Sequence, residues 1–346
     1  MCKFLYLCVR WRNIDLHKEH NENRPLITEW AVYCLCIFTI LLTHPLAPEM
    51  NLWYNSCNET TEVNGMIISA SRRCDIPCHY GEWLLRRLSA GYVTVKNPYN
   101  RKTRLIELTP DAVDCIVFWT KDAANLLPRL DELDRRGYKY YFQFTLTPYG
   151  RDIERNLRPK DEIIDTFIEL SRMLGRERVV WRYDPIIVDG ARTVDWHKEK
   201  FADMCGRLAP YCERVVISYI DLYRGMKRTG ISEVSESDKA ALTPYIARAA
   251  RERGISVVAC CESGLSEYGV GQSSCIDGRL IERIVGRRLG LSPDKNQRPG
   301  CGCVASVDIG SYDCCPNGCV YCYANRSAEL AARNYAAHDA GGECLM

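Results

Sequence analysis

The sequence has little histidine, six in 346 residues, and none of them sits in a paired ligand motif such as His-x-x-x-His. That disfavours a histidine-based metallohydrolase, whose zinc or iron is held by closely spaced imidazoles. It also lacks a strong charge of either sign: the formal net charge is +2 and the pI about 7.8. A dedicated nucleic-acid binder would carry a basic field that is missing here, so nucleic acid as a partner gains no support from charge. No long hydrophobic run is present. The longest apolar stretch, Trp30 to Leu42, is shorter than the roughly 20 residues a bilayer span requires and is bounded by Glu29 and His44-Pro45. A membrane partner is therefore not expected. Finally, no short-period repeat and no Pro/Gly/Ser-rich linker divides residues 66 to 338, which points to one domain there. Residues 1–65 differ in character and read as a disordered extension or a mis-annotated start, with Met66 as the alternative initiator, and residues 339–346 read as a tail.

Cysteine, by contrast, is abundant. Of twenty cysteines, six crowd positions 301 to 322. That crowding is unlike the framework of a small disulfide-stapled secreted domain and reads as metal ligation in a reducing, cytoplasmic compartment. Scattered cysteines such as Cys115, Cys205 and Cys212 lie in apolar or amphipathic patterns and read as small buried hydrophobes. Within the cluster loop, 301–325, Cys315-Pro-Asn-Gly-Cys319-Val-Tyr-Cys322 spaces three thiols by three and then two residues. Three thiolates on one soft metal centre leave a position without a protein ligand, whereas a structural zinc site closes with four. Zinc remains the alternative reading of this loop. Cys260, Cys275, Cys301 and Cys303 are four further thiols, enough for a second centre, either an auxiliary iron–sulfur cluster or zinc. The blander reading makes Cys301-Gly-Cys303 a tight entry to the last strand.

From Met66 onward, short apolar runs alternate with amphipathic helices, the signature of repeated βα units around a parallel sheet. Strands are expected at 66–71, 115–120, 140–145, 178–183, 214–219, 256–260 and 304–309. The helices fall at 79–89, 123–136, 160–174, 195–208, 236–253, 279–289 and 326–337, and a hairpin, 92–96 with 104–108, is inserted after the first unit. Polar residues recur at the strand ends: Ser71-Arg72-Arg73, Trp119-Thr120-Lys121, Thr145-Leu146-Thr147, Arg182-Tyr183-Asp184, Ser218 with Asp221, Glu262-Ser263 and Asp308. Such a ring favours a partial parallel β/α barrel, TIM-like, over an open doubly wound sheet. Taken singly, Arg182 with Asp184, or Arg73 with Asp75, reads equally well as an ion-paired support of the rim.

The cysteine spacing resembles the cluster loop of the radical S-adenosylmethionine (SAM) enzymes, with Tyr321 where they carry an aromatic residue. Ser69-Ala-Ser-Arg-Arg73, Phe118-Trp-Thr-Lys121, Gln143-Phe-Thr-Leu-Thr147, Trp181-Arg-Tyr-Asp-Pro185 and the run Gly300 to Asn325 together make residues 66 to 328 similar to the family called domain of unknown function 1848. That family is itself similar to radical SAM enzymes in its cysteine motif. The resemblance implies a [4Fe-4S] cluster on Cys315, Cys319 and Cys322. It implies SAM on the fourth iron, cleaved reductively to methionine and a 5′-deoxyadenosyl radical, and an electron donor such as a flavodoxin or ferredoxin. Tyr321 would contact the adenine, and Ser218 and Asp221 would join in binding the cofactor. Arg72, Arg73, Lys121 and Arg182 would hold an anionic substrate or the SAM carboxylate, alongside Asp184 and Glu262.

Two departures stand out. Radical SAM barrels carry the cluster loop after the first strand, and here it follows the last; a circular permutation with 304–309 beside 66–71 reconciles the two. The Gly-Gly-Glu tripeptide often used to hold the methionyl amine occurs only as Gly341-Gly342-Glu343, in the tail, so Asp184, Ser218 or Glu262 would serve instead. Two non-radical readings compete: an iron–sulfur or zinc protein with a structural or electron-transfer site, and a metal-dependent hydrolase using Asp184, Asp221 and Glu262.

Overall fold

The computed structural model describes residues 66–222, 230–262, 264–298 and 300–346, all within one compact unit, Glu62–Met346. The expectations for residues 1–65 lie outside the described residues. Among those described, no helix is long and apolar enough to cross a membrane.

In chain order the elements are β1 (Met66–Ala70), α1 (Ile76–His79), α2 (Gly81–Ala90), β2 (Tyr92–Lys96), β3 (Thr103–Glu107), β4 (Val113–Thr120), α3 (Leu130–Arg135), β5 (Tyr140–Thr145) and α4 (Lys160–Leu174). They continue with β6 (Val179–Ile186), α5 (Val194–Leu208), β7 (Arg214–Tyr219), α6 (Glu236–Arg251), β8 (Ser256–Ala259), β9 (Gly271–Gln272), α7 (Gly278–Val285), β10 (Val307–Asp308) and α8 (Ala328–Ala336). Eight strands form one wholly parallel sheet in the order β10-β1-β4-β5-β6-β7-β8-β9, and β2 and β3 pair as a separate antiparallel hairpin. Among the described residues the two edges, β10 and β9, share no hydrogen-bonded ladder.

The period-2 alternation of the strands sorts their side chains into two layers. Ile68, Phe118, Phe142, Trp181 and Ile217 point into a large aromatic-rich core shared with the crossover helices. In α4, Ile163, Ile164, Phe167 and Leu170 recur at helical spacing and bury there. Ile67, Cys115, Val117, Tyr141, Val180 and Val216 face the other way, where Ile276, Leu280 and Ile281 of the α7 segment cover them. One residue pair further along each strand, this second layer turns polar, with Ser69, Trp119, Gln143, Arg182 and Ser218. The covering segment therefore fills the lower part of the concave side and leaves the strand ends to the site.

Several elements differ from the sequence expectation. The helix expected over 123–136 is reduced to a 3-10 turn, Leu127–Arg129, and the short α3, because Pro128 cannot donate to an α-helical ladder. The last strand shrinks to two residues, since the preceding 301–305 stretch pairs instead with 276 and 292–294. Strand β9 has no apolar run to betray it. The C-terminal tail is docked: Leu345 is buried, Trp83 Nε1 donates to the Gly342 carbonyl at 3.0 Å, and Thr94 N donates to the Glu343 carbonyl at 3.0 Å. Buried Cys115, Cys205 and Cys212 belong to the core, and burial pushes their thiols up, to about 12, 11 and 12.

Candidate metal centres at the strand ends

β10 lies parallel beside β1, with Ile68 opposite Val307 and Ser69 opposite Asp308. First and last strands are thus neighbours, as the permuted arrangement requires. Asp308 locks the junction by accepting from Ser69 Oγ at 2.9 Å, Ser71 Oγ at 2.7 Å, Arg72 N at 2.9 Å and Gly310 N at 3.0 Å. Gly310 is obligatory, because a Cβ there would stand 2.0 Å from Ser71 Oγ and 2.9 Å from Cys74 Sγ. Arg73 donates to the Gly310 carbonyl at 3.2 Å and lies 3.9 Å from Asp308, so its acidic neighbour is Asp308 rather than Asp75.

The chain then enters the cysteine loop, which is held from several sides. Asn317 donates to Asp75 at 3.1 Å and its side-chain oxygen meets His79 Nε2 at 2.7 Å. The segment after β5 pairs with the loop: Val320 N donates to Ile153 O at 3.0 Å, Asn156 N to Asn317 O at 3.1 Å, and Asn156 Nδ2 to Pro316 O at 2.7 Å. Gly318 makes this approach possible with a left-handed φ of 67°, and a Cβ there would meet Asn156 Nδ2 at 2.9 Å. Cys315, Cys319 and Cys322 lie on this loop beside Asp75, Lys121 and Glu154, and among the described residues their sulfurs are not all within 4.8 Å of one another. Burial, nearby carboxylates and their mutual repulsion push all three thiols up, Cys319 to about 12 against the pull of Lys121. Anionic sulfur is therefore costly here without a compensating cation, and three soft donors on one loop suit a thiophilic metal.

The nearest carboxylates are already engaged. Asp75 caps α1 through Cys78 N at 3.1 Å and accepts from Lys121 N at 2.7 Å. Glu154, fully buried, accepts from Lys121 Nζ at 2.8 Å, Thr147 Oγ1 at 3.0 Å, Lys160 and the Tyr321 hydroxyl. Burial works to raise the Glu154 carboxyl, but the two ammonium groups overcome it and hold the group at about 2. For Lys121, attraction to Glu154 and Cys319 outweighs burial and raises it to about 12. For Lys160 burial prevails and it lies below its ordinary value. Lys121 also donates to Tyr321 Oη at 2.6 Å, so the tyrosine hydroxyl is committed to this network. No sequence pattern singled out Glu154, which sits in a loop between β5 and α4 and faces Cys319 across a backbone bridge.

The remaining strand-end residues form two further groups. Arg182 is buried, paired with Asp184, and donates to Gln143 Oε1 and to Cys275 Sγ, each at 3.3 Å. Its guanidinium and that of Arg72 lie over the Trp119 ring at 5.4 and 5.5 Å. Arg72 Nη2 and Trp119 Nε1 are buried without a hydrogen-bond partner, an arrangement that an acceptor oxygen would complete. Glu262 accepts from Ser218 Oγ at 2.7 Å and Tyr219 N at 3.0 Å, and burial raises its carboxyl. Asp221 pairs with Arg298 at 2.8 Å. Asp184, Asp221 and Glu262 are thus held by three different partners and form no group of ligand atoms within 4.8 Å of one another among the described residues. Glu343 of the Gly-Gly-Glu tripeptide receives Tyr92 Oη at 2.7 Å on the hairpin, away from the eight-stranded sheet's strand ends.

A second set of thiols converges. The sulfurs of Cys260, Cys301 and Cys303 all lie within 4.8 Å of one another. Cys275 is near enough to perturb the Cys260 and Cys303 thiols, but its sulfur is not within 4.8 Å of all three.

No curated protein matches this chain. Among solved structures, the chain is similar to HydG, a maturase of the [FeFe]-hydrogenase, at 12% identity and a TM-score of 0.36; the match covers 67% of this chain and spans 62% of HydG. It is also similar to the carboxyl transferase domain of Rhizobium etli pyruvate carboxylase, at 14% identity and a TM-score of 0.25, over 66% of this chain and 32% of that one. Residues 67–324 match the family described as domain of unknown function (DUF1848), and the chain belongs to that family.

Proposed function

We propose that this protein is an iron–sulfur enzyme of the radical SAM type, with Cys315, Cys319 and Cys322 as ligands of a [4Fe-4S] cluster. The observation that carries the reading is positional. Pairing of β10 with β1 brings a loop of three thiols to the same end of the sheet as Arg72, Trp119 and Lys121, while Asp75 and Glu154 beside it are fully hydrogen-bonded and offer no fourth ligand. A cluster held by Cys315, Cys319 and Cys322 would supply one electron for reductive cleavage of SAM.

The chain's own residues have distinct tasks. Lys121 and Lys160 neutralise Glu154 and, with Tyr321, form a hydrogen-bonded charged network beside the half-buried thiols. Arg72 and Trp119 carry unsatisfied N–H groups that a carboxylate or phosphate oxygen would satisfy, and Arg182, steadied by Asp184, also stacks on the indole. The substrate is accordingly anionic, and Ser218 with Glu262 supplies the hydroxyl and carboxylate to meet an amine at the β7 and β8 ends. A flavodoxin or ferredoxin is the fitting class of reductant.

Anaerobic reconstitution of the full chain with iron and sulfide, followed by dithionite and SAM, tests the reading. Formation of 5′-deoxyadenosine is the expected outcome. An intact cluster that leaves SAM unchanged would contradict the radical mechanism and leave an electron-transfer or structural cluster.

A further inference from the structure

We propose that Cys260, Cys275, Cys301 and Cys303 form a second, closed centre that binds a single tetrahedral zinc ion, independent of the metal in the 315–322 loop. The four thiols come from separate places: Cys260 follows β8, Cys275 precedes α7, and Cys301 and Cys303 precede β10. Here three sulfurs are mutually within 4.8 Å, and Cys275, whose sulfur accepts from Arg182 Nη1 at 3.3 Å, lies near enough to perturb the Cys260 and Cys303 thiols.

The spacing selects one ion over a cluster. Two sulfurs each about 2.3 Å from one tetrahedral ion stand about 3.8 Å apart. Cysteines that ligate different irons of a cluster are spread more widely around it. Four thiolates with no solvent position match a structural site, whereas the loop of three does not.

The surroundings are built for thiolate. Ile276 N donates to Cys303 Sγ at 3.4 Å, and Arg182 Nη1 to Cys275 Sγ at 3.3 Å. Such outer contacts orient ligands and offset the negative charge of a tetrathiolate site. The backbone of Cys275 is pinned as well, since its carbonyl accepts from Tyr141 Oη at 2.9 Å and Gln143 Nε2 at 2.7 Å. Gly302 has the same logic: a Cβ there would stand 2.6 Å from Ser274 Oγ, so the Cys-Gly-Cys turn packs against the segment that carries Cys275.

The position gives the ion a purpose. It fastens the segment covering the sheet's concave face to the end of β8, and through Cys275 it fixes Arg182, which pairs with Asp184 and stacks on Trp119 at the mouth. The centre thus supports the strand-end site without needing to react.

Metal analysis of the full chain purified anaerobically is the test. One zinc per chain is expected to survive mild chelation in the unaltered protein and in Cys319→Ala, and to be lost in Cys303→Ser and Cys301→Ser. Should those serine variants fail to fold, cobalt substitution of Cys319→Ala decides: intense thiolate charge-transfer bands with a tetrahedral d–d pattern support the site, and a weak octahedral spectrum overturns it. Iron and sulfide remaining in Cys319→Ala in place of zinc would overturn it in favour of an auxiliary cluster. Because Cys319→Ala reports on the loop alone, failure of the zinc site is separable from failure of the radical SAM reading.

Discussion

The two thiol sites differ in nearly every physical respect. The loop triad comes from eight consecutive residues, Cys315 to Cys322, and is surrounded by charge in the form of Lys121, Glu154 and Lys160. The quartet is assembled from three stretches between the sheet and the segment that covers it, with the sulfurs of Cys260, Cys301 and Cys303 within 4.8 Å of one another. In the proposed reading, the first arrangement leaves a metal position without a protein ligand and the second closes on four thiols. Placing them on the same strand ends, linked through Arg182 and Trp119, separates the tasks of reacting and of holding shape.

Single substitutions should split that pair cleanly. The largest effect is expected from Cys319→Ala, which should abolish the brown chromophore after reconstitution and leave zinc in place, as read by absorbance and metal content; loss of both would merge the sites. Next comes Glu154→Ala. Removing a buried carboxylate strands two ammonium groups, and breaking such a pair costs about 3–5 kcal/mol, measurable by denaturant unfolding. The pH dependence follows from the same group. Its folded value of about 2 lies below the usual carboxylate value near 4.3, so its contribution is complete above about 4.3 and is lost as pH falls toward 2. Glu154→Gln should flatten the acid limb of a stability–pH curve over that window.

A smaller and more selective change is expected from Trp119→Phe. It keeps the ring under both guanidinium groups and removes the orphaned N–H, so stability should hold while affinity for an anionic ligand falls by roughly one to two orders of magnitude, the about 1.5–3 kcal/mol of a charge-assisted hydrogen bond. Calorimetric titration with the ligand, once identified by the SAM-dependent reaction, measures it. The smallest effect belongs to Cys344→Ala, at a half-buried cysteine outside both sets, which should retain both metals and the chromophore.

Much of the scaffold was legible because the crossover strands are continuous apolar runs and the helices between them keep a 3.6 period. The bounds of β5, α4 and β7 coincide with the residues their patterns mark out. Legibility failed where local chemistry is weak or overridden: at Pro128, at the two-residue β9, and in the tail, whose anchoring depends on Trp83 and the hairpin far away in sequence. The loop triad was visible as a spacing. The quartet was visible only as four thiols, since convergence of residues 260, 275, 301 and 303 depends on how the covering segment folds back. Glu154 left no trace at all. It is an isolated acid in a loop, given its role by Lys121, Lys160 and Tyr321, which reach it from β4, α4 and the cysteine loop.

The most direct test of the open site is the EPR spectrum of the reduced, reconstituted full chain recorded with and without SAM. Binding of SAM to an iron that lacks a protein ligand should shift the g-values and line shape of the reduced cluster. An unchanged spectrum, or a loop that takes up stoichiometric zinc and no iron, would contradict the account.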